Sequence, residues 1–397
     1  MRIILFMMMI LMGCTRVDKT CSKIDEPVYE IDLSKENKDD KEKIYDKEKI
    51  YDKEKIYDKE KIYDKENIDQ YIINFNYDRK DMLSQRLVLG MEGTTLDDSN
   101  KDILRRFKPG AIILFNRNII DESQLIALIS DIRKLCKDEN IINPFIFIDQ
   151  EGGRVDRLKD IYKPMSSAAF YAQNDKIDEY IEDIDIRMKR YDINSPLAPV
   201  LDTNDSASSG AIGDRAFSND YKKNSAIAKK IIDGFHEKNI LSIAKHFPGH
   251  GATTVDSHYA LPVIDKTIDE LKNSDMIPFI DNSEIVDGIM LAHILIPNVD
   301  KRPVSLSDKW VQFIRDELKY NGLILSDDIT MGALDEFGKL DERAYSFLNS
   351  GGDMVLICHN PSTYDSIFKR LESLDDENIK QSFDRIMKKK LEIFGEI

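Results

Sequence analysis

The stretch Ile240-Leu241-Ser242-Ile243-Ala244-Lys245-His246-Phe247-Pro248-Gly249-His250-Gly251 runs from a short apolar segment straight into charged and turn-forming residues. Ile240–Ala244 predicts a buried strand. Lys245 and His246 then fall at its C-terminal end, where α/β proteins place reactive side chains. Asp256-Ser257-His258 follows after a glycine-containing loop, so three of the chain's six histidines crowd one segment. A plain surface loop accounts poorly for an apolar strand that ends in Lys-His and then Pro-Gly.

Outward from this stretch, buried strands are predicted at Arg86–Met91, Gly110–Phe115, Pro144–Ile148, Ile193–Pro199, Leu241–Ala244, Gly288–Ala292, Gly322–Leu325 and Asp353–Cys358. Helical patterns lie between many of them, at Glu122–Lys137, Tyr221–Lys238, Leu306–Tyr320 and Leu340–Ser350. Strands alternating with helices imply a parallel sheet, and eight strands over this length predict a single (β/α)8 barrel of the TIM type. A doubly wound open sheet is the alternative. No Gly-rich phosphate loop follows the first strand, which disfavours it.

Polar residues gather just after these strands. Ile148 leads into Asp149-Gln150-Glu151-Gly152-Gly153-Arg154 and then Arg157, and Pro199 into Asp202-Thr203-Asn204, with Asp214-Arg215 further on. Ala292 is followed by His293, and Leu325 by Ser326-Asp327-Asp328. Any one of these is explained by a helix cap or a turn. In a barrel all of them open on one face, so together they predict one polar pocket.

The 397 residues carry a net charge of −16, and no basic stripe interrupts the acidity, which excludes nucleic acid as a partner. Cys14, Cys21, Cys136 and Cys358 are too scattered for a disulfide framework or a CxxC metal site. At the N-terminus, Ile3–Met12 is about half the ~20 apolar residues a spanning helix needs, so residues 1–13 read as an export signal. Leu11-Met12-Gly13-Cys14 resembles the lipobox of bacterial lipoproteins, which predicts acylation of Cys14 and a membrane-anchored protein on the outer side of the cytoplasmic membrane. Residues 14–78 form a low-complexity spacer in which Lys-Glu-Lys-Ile-Tyr-Asp repeats from Lys41 to Asp64. A period of six turns about 240° on a helix, so the Ile-Tyr pairs never line up into a coiled-coil seam. Such a segment builds no core, and residues 79–397 are left as the catalytic domain.

IDQEGGRVDRL from Ile148, LAPVLDTN from Leu197, GDRAF from Gly213, KHFPGHG from Lys245 with DSH from Asp256, and LILSDDITMGAL from Leu323 together resemble the motifs of glycoside hydrolase family 3. Within it they are most similar to the β-N-acetylhexosaminidases of bacterial cell-wall turnover. The resemblance extends from about Leu83 to the C-terminus and leaves no room for the second sandwich domain that many members carry. It implies that Asp327 is the nucleophile and that His258, paired with Asp256, is the general acid/base. Asp149, Arg157, Arg215, Lys245 and His246 match positions that bind the sugar. The substrate implied is a terminal non-reducing β-N-acetylglucosaminide from peptidoglycan fragments or related glycans, cleaved with retention by a monomer that needs no cofactor. Ala216 stands where the family commonly has serine, and Ile329 where it has leucine; neither change removes a reacting group.

The residue types suit that chemistry. Retaining hydrolysis needs a carboxylate to attack the anomeric carbon and an acid to protonate the leaving oxygen. Successive residues leaving a strand point to opposite sides, so only one of Asp327 and Asp328 faces the pocket. Physics leaves the choice open, and the resemblance favours Asp327. Imidazole titrates near neutrality, so His258 can both give and take a proton, with Asp256 orienting its ring. Asp149 accepts from sugar hydroxyls while Arg157, Arg215 and Lys245 donate. Gly152-Gly153 permits a sharp turn beneath Asp149. For Arg154 a structural ion pair explains as much as a substrate contact does.

Four other functions remain in view. Zinc on His246, His250, His258 and Asp256 is disfavoured because Pro248-Gly249 breaks helical ligand spacing, so no metal is expected. A family 3 β-glucosidase, a glycoside phosphorylase and a sugar-binding surface lipoprotein are the others. A mere binder has no use for a nucleophile and an acid/base.

Overall fold

The computed structural model describes residues 77–203, 211–251 and 261–395, and nine short strands organise these described residues. In chain order they are β1 Leu87–Gly90, β2 Ala111–Leu114, β3 Phe145–Ile148, β4 Gln150–Gly152, β5 Val155–Asp156, β6 Ile243–Phe247, β7 Gly288–Leu291, β8 Leu323–Ser326 and β9 Val355–Ile357. Four form a parallel sheet in the order β3-β2-β1-β9, three a second parallel sheet β6-β7-β8, and β4 and β5 an antiparallel hairpin. The architecture is α/β with parallel sheets. The export signal, Cys14, the repeat spacer, Asp256 and His258 lie outside the described residues.

Apolar sequence explains the strands. Phe145-Ile146-Phe147-Ile148 and Ala111-Ile112-Ile113-Leu114 are buried on both faces, as strands are when helices or other strands cover both sides. Alternation divides each strand between two environments. Val88, Ile113, Phe147, Ile243, Met290, Leu325 and Leu356, one from each of the seven parallel strands, share one apolar cluster. Their neighbours Leu89, Ile112, Ile146, Ala244, Ile289, Ile324 and Ile357 pack in two others, with helix residues such as Ile129, Ile184, Ile232 and Phe347.

The helices have ordinary local causes. Asp121 caps Glu122–Asp138 by accepting from the Gln124 N–H, and Asp220 caps Tyr221–Glu237 by accepting from that of Lys223. Leu340–Asn349 matches its sequence expectation to one residue. The segment expected as one helix over Leu306–Tyr320 is instead an α-helix at Asp308–Gln312 that widens into a π-turn at Phe313–Glu317.

Two strand expectations need correction. Ile193–Pro199 forms no strand, because Pro196 and Pro199 have no N–H to donate and Leu197 sits at φ 47°. The segment is still held between β3 and β6: Ile148 N–H donates to the Ser195 carbonyl at 3.2 Å, and Ile243 N–H to that of Ala198 at 2.8 Å. Single parallel bridges join Phe147 to Ser195, Val200 to Lys245 and Leu325 to Met354. Strand β6 also starts later than expected and runs on to Phe247, so Lys245 and His246 lie within it rather than beyond its end.

The N-terminal ends of the strands hold buried charge with a structural purpose. Asp353, just before β9, accepts from the Ile324 N–H at 2.7 Å and pairs with Arg385 at 2.8 Å and with Arg315. Buried Arg86 donates to the Leu348 and Gly352 carbonyls at 2.9 and 2.7 Å. Every charged donor or acceptor named here has a partner, as burial requires.

Candidate active site

The C-terminal ends of the same strands open on a cavity of about 370 Å³. Asp327 and all five residues expected to bind the sugar, Asp149, Arg157, Arg215, Lys245 and His246, line it. Glu151 and His250 line it as well.

Asp149 and Glu151 reach the cavity because residues two apart in an extended chain share a face. Gln150, between them, turns the other way and donates to Asp156 at 2.7 Å within the hairpin. Gly152 makes the turn at φ 93°, and a Cβ there would stand 2.4 Å from the Ser166 carbonyl oxygen, so only glycine fits.

Lys245, 2% exposed, joins the two carboxylates: its Nζ is 2.8 Å from Asp149 Oδ1 and 2.7 Å from Glu151 Oε1. Arg215 binds Glu151 in fork geometry, at 2.7 Å through Nε and 2.9 Å through Nη2. The Arg157 guanidinium stands 3.6 Å from Asp149 Oδ2. Burial pushes the Glu151 carboxyl up, but Arg215 and Lys245 overcome this and hold it well below the usual range. Lys245 is likewise driven down by burial and raised overall by Asp149 and Glu151. Glu151, Lys245 and Arg215 therefore favour their charged forms.

Both Lys245 and His246 line the cavity although they are adjacent, and the register of β6 explains it. Ala244 pairs with Ile289 and Phe247 with Leu291, so β6 spends three residues where β7 spends two. That extra residue is a bulge, which re-aims side chains that would otherwise alternate. Behind His246, buried Asp202 accepts from its Nδ1 at 2.7 Å and also from the His250 N–H at 2.6 Å.

Both Asp327 and Asp328 line the cavity, contrary to the strict alternation expected, and they differ in their hydrogen bonds. Asp328 Oδ1 accepts from the Thr330 and Cys358 N–H groups at 3.0 and 3.1 Å, and Oδ2 from the Thr330 hydroxyl at 2.6 Å. Its carboxylate is occupied in joining the ends of β8 and β9. Asp327 accepts only the Asp328 N–H among the described residues, at 2.8 Å on Oδ1. Burial raises the Asp327 carboxyl, while His293, His246, the Asp328 N–H and Lys245 bring it to a net value below the ordinary one. His293, just after β7, is fully buried and bonded to Ser305 Oγ at 2.7 Å and the Asp328 carbonyl at 2.9 Å. It braces Asp328 and does not line the cavity. Arg154 donates to the Ala211 and Ile212 carbonyls at 2.6 and 2.7 Å, anchoring the segment that carries Arg215, which fits its structural reading.

Two residues of the site were not singled out from sequence, Glu151 and Asp202. Their signal was present: Glu151 stands two residues from Asp149, and Asp202 follows an apolar run toward a strand end. Among the described residues no group of His, Cys, Asp and Glu is arranged to hold a metal ion.

A family model described as the glycosyl hydrolase family 3 N terminal domain matches residues 79–389. The chain belongs to glycosyl hydrolase family 3. It is 34% identical over 285 residues to a protein of Idiomarina loihiensis named beta-hexosaminidase, across 69% of this chain and 84% of that one. A protein of the same name from Tolumonas auensis is 36% identical over 282 residues, across 69% and 83% of the two chains. Among solved structures, a family 3 beta-N-acetylglucosaminidase from a Paenibacillus species superposes with a TM-score of 0.76 at 27% identity. That match covers 80% of this chain and 63% of the other, so this chain spans less than two thirds of that family member.

Proposed function

We propose that the protein is a retaining β-N-acetylhexosaminidase that removes terminal non-reducing β-N-acetylglucosamine, from peptidoglycan fragments or related glycans. One observation carries this: Asp327 shares a single cavity with Asp149, Arg157, Arg215, Lys245 and His246, a carboxylate facing a set of hydroxyl-binding groups. The relatives named for this activity support the same substrate class.

In this mechanism Asp327 attacks the anomeric carbon as the bond to the leaving oxygen breaks, and His258, oriented by Asp256, gives that oxygen its proton. A water then attacks the anomeric carbon and releases Asp327, while His258 takes a proton from that water and so returns to its starting form. Oδ2 of Asp327 is the attacking atom, since Oδ1 is engaged by the Asp328 N–H. The ionised pairs Lys245 with Asp149 and Arg215 with Glu151 hold a fixed polar surface against the sugar hydroxyls, so little reorganisation is needed when substrate enters. The surrounding architecture is a closed (β/α)8 barrel. In support, all seven parallel strands feed one apolar cluster, and single bridges run from β3 through Ser195 and Val200 to β6 and from β8 to Met354. The enzyme acts as a monomer held outside the cytoplasmic membrane by a lipid on Cys14, with the repeat spacer setting its distance.

Rates on an aryl β-N-acetylglucosaminide and on the matching β-glucoside test the assignment. The first is expected to be hydrolysed far better, and the Asp327→Ala variant to lose at least about a thousandfold in turnover. Preference for the glucoside sinks the hexosaminidase assignment, and near-normal turnover by the variant sinks the mechanism.

A further inference from the structure

We propose that Asp202 sets the hydrogen-bond polarity of His246, so that the imidazole meets the sugar as an acceptor and selects a hydroxyl that donates to it. This rests on the glycosidase reading above and adds a positioning residue to it.

Asp202 is 1% exposed and surrounded by donors. Its Oδ2 lies 2.7 Å from His246 Nδ1 and 3.2 Å from the His246 backbone nitrogen. Its Oδ1 accepts the His250 N–H at 2.6 Å. Backbone N–H groups, which can only donate, address both of its oxygens, His246 at 3.2 Å on Oδ2 and His250 at 2.6 Å on Oδ1, so the carboxylate accepts on both. The hydrogen at His246 Nδ1 is thereby required. In a neutral ring Nε2 then carries the lone pair, and no described residue donates to or accepts from it, while the ring lines the cavity. The neighbouring donor, Lys245, is committed to Asp149 and Glu151. The strand end thus offers the substrate an acceptor on His246 amid the cationic donors Arg157 and Arg215. The charged and titratable groups that interact with the ring are Asp202, His250, His293 and Asp327.

The same contacts dictate what Asp202→Asn does. Oδ1 is reached by both backbone N–H groups, that of His250 at 2.6 Å and that of His246 at 3.3 Å, and these cannot reverse, so the amide oxygen takes the Oδ1 place and the amide nitrogen faces Nδ1. Nδ1 becomes the acceptor and the proton moves to Nε2, turning the ring into a donor toward the cavity.

Two measurements on the full chain read this out. In 15N spectra of histidine-labelled protein at pH 8, above the ordinary imidazole value of about 6.5, the resonance missing from His246→Gln is expected to show the Nδ1–H tautomer. In Asp202→Asn it is expected to show Nε2–H. In parallel, kcat/KM is measured for aryl β-N-acetylglucosaminides bearing hydrogen or fluorine in place of each ring hydroxyl. At one position both replacements are expected to lose about tenfold or more alike, because fluorine cannot donate. In Asp202→Asn the fluoro compound should recover relative to the deoxy compound. An Nε2–H or doubly protonated ring in the wild type overturns the proposal, as does fluorine tolerated wherever hydrogen is not. Should Asp202→Asn fail to fold, the wild-type spectrum and analogue series decide alone. Failure to cleave the parent glycoside refutes the function, not the polarity, which the tautomer reads independently.

Discussion

Arg215 holds Glu151 through two parallel hydrogen bonds, at 2.7 and 2.9 Å, while Lys245 takes the same carboxylate at 2.7 Å. Glu151 is 2% exposed, so removing it strands the Arg215 guanidinium in a nearly dry place and leaves Lys245 with Asp149 alone. Glu151→Ala is expected to lower stability by about 3 to 5 kcal/mol. Glu151→Gln should fold and, on the proposed function, raise KM more than it lowers kcat, because it disturbs the groups proposed to hold the sugar. Unfolding midpoints in urea and steady-state kinetics check both, and an alanine variant as stable as wild type would refute the arrangement.

The depressed Glu151 carboxyl makes a pH prediction with a definite sign. Its contribution to stability is complete above the unfolded carboxyl value of about 4.3 and is lost as pH falls below that. Wild-type stability should therefore drop more steeply than that of Glu151→Gln between about pH 4.5 and 3.5. Parallel curves in urea titrations across that range would contradict the ion-pair account.

Asp327 and Asp328 should separate cleanly. Asp328→Ala removes three hydrogen bonds that join the ends of β8 and β9, and is expected to cost about 3 kcal/mol. Asp327→Ala should abolish turnover with a much smaller change in stability. Thermal melting alongside turnover measurements distinguishes them. An Asp328→Ala protein that melts like wild type would leave the division of labour without support.

Lys390 is fully buried, donates to the Asn143 carbonyl at 2.5 Å and lies 5.3 Å from the Phe145 ring centre. Burial pushes its pKa well below the usual lysine value, with Cys136 opposing and Arg133 reinforcing the effect. The unfolded chain then binds a proton that the folded one resists, so the penalty grows as pH falls below about 10.4. Lys390→Met should raise the melting temperature more at pH 7 than at pH 9.5. Equal shifts at the two pH values would show that the buried amine is not the cause.

Much of the fold was legible because apolar runs of the right length are a strong signal: seven of the eight expected strands are present, within a few residues. Ile193–Pro199 misled because apolar composition outweighed two prolines, whose missing N–H groups prevent regular pairing. The five residues expected to bind the sugar were picked out through strand-end position and motif, and all five line one cavity. Glu151 and Asp202 were not, because their work is done on other side chains: one neutralises Lys245 and Arg215, the other orients His246. Such support depends on which distant residues the fold brings near. That the Asp328 carboxylate is already occupied, while Asp327 accepts only the Asp328 N–H among the described residues, is likewise visible only in the structure. Asp256 and His258 lie outside the described residues, and their pairing stays with the proposal.

The extra residue in β6 carries a further consequence for how this site can change. Because a strand has only two sides, chain length ahead of Lys245 acts as a parity bit for everything that follows. Inserting or deleting a single residue there would shift the bulge against β7 and disturb the shared aim of Lys245 and His246, although every functional side chain survived. Exchanging Ile243 for another branched apolar residue would leave them in place. At this strand end, counting residues matters more than choosing them.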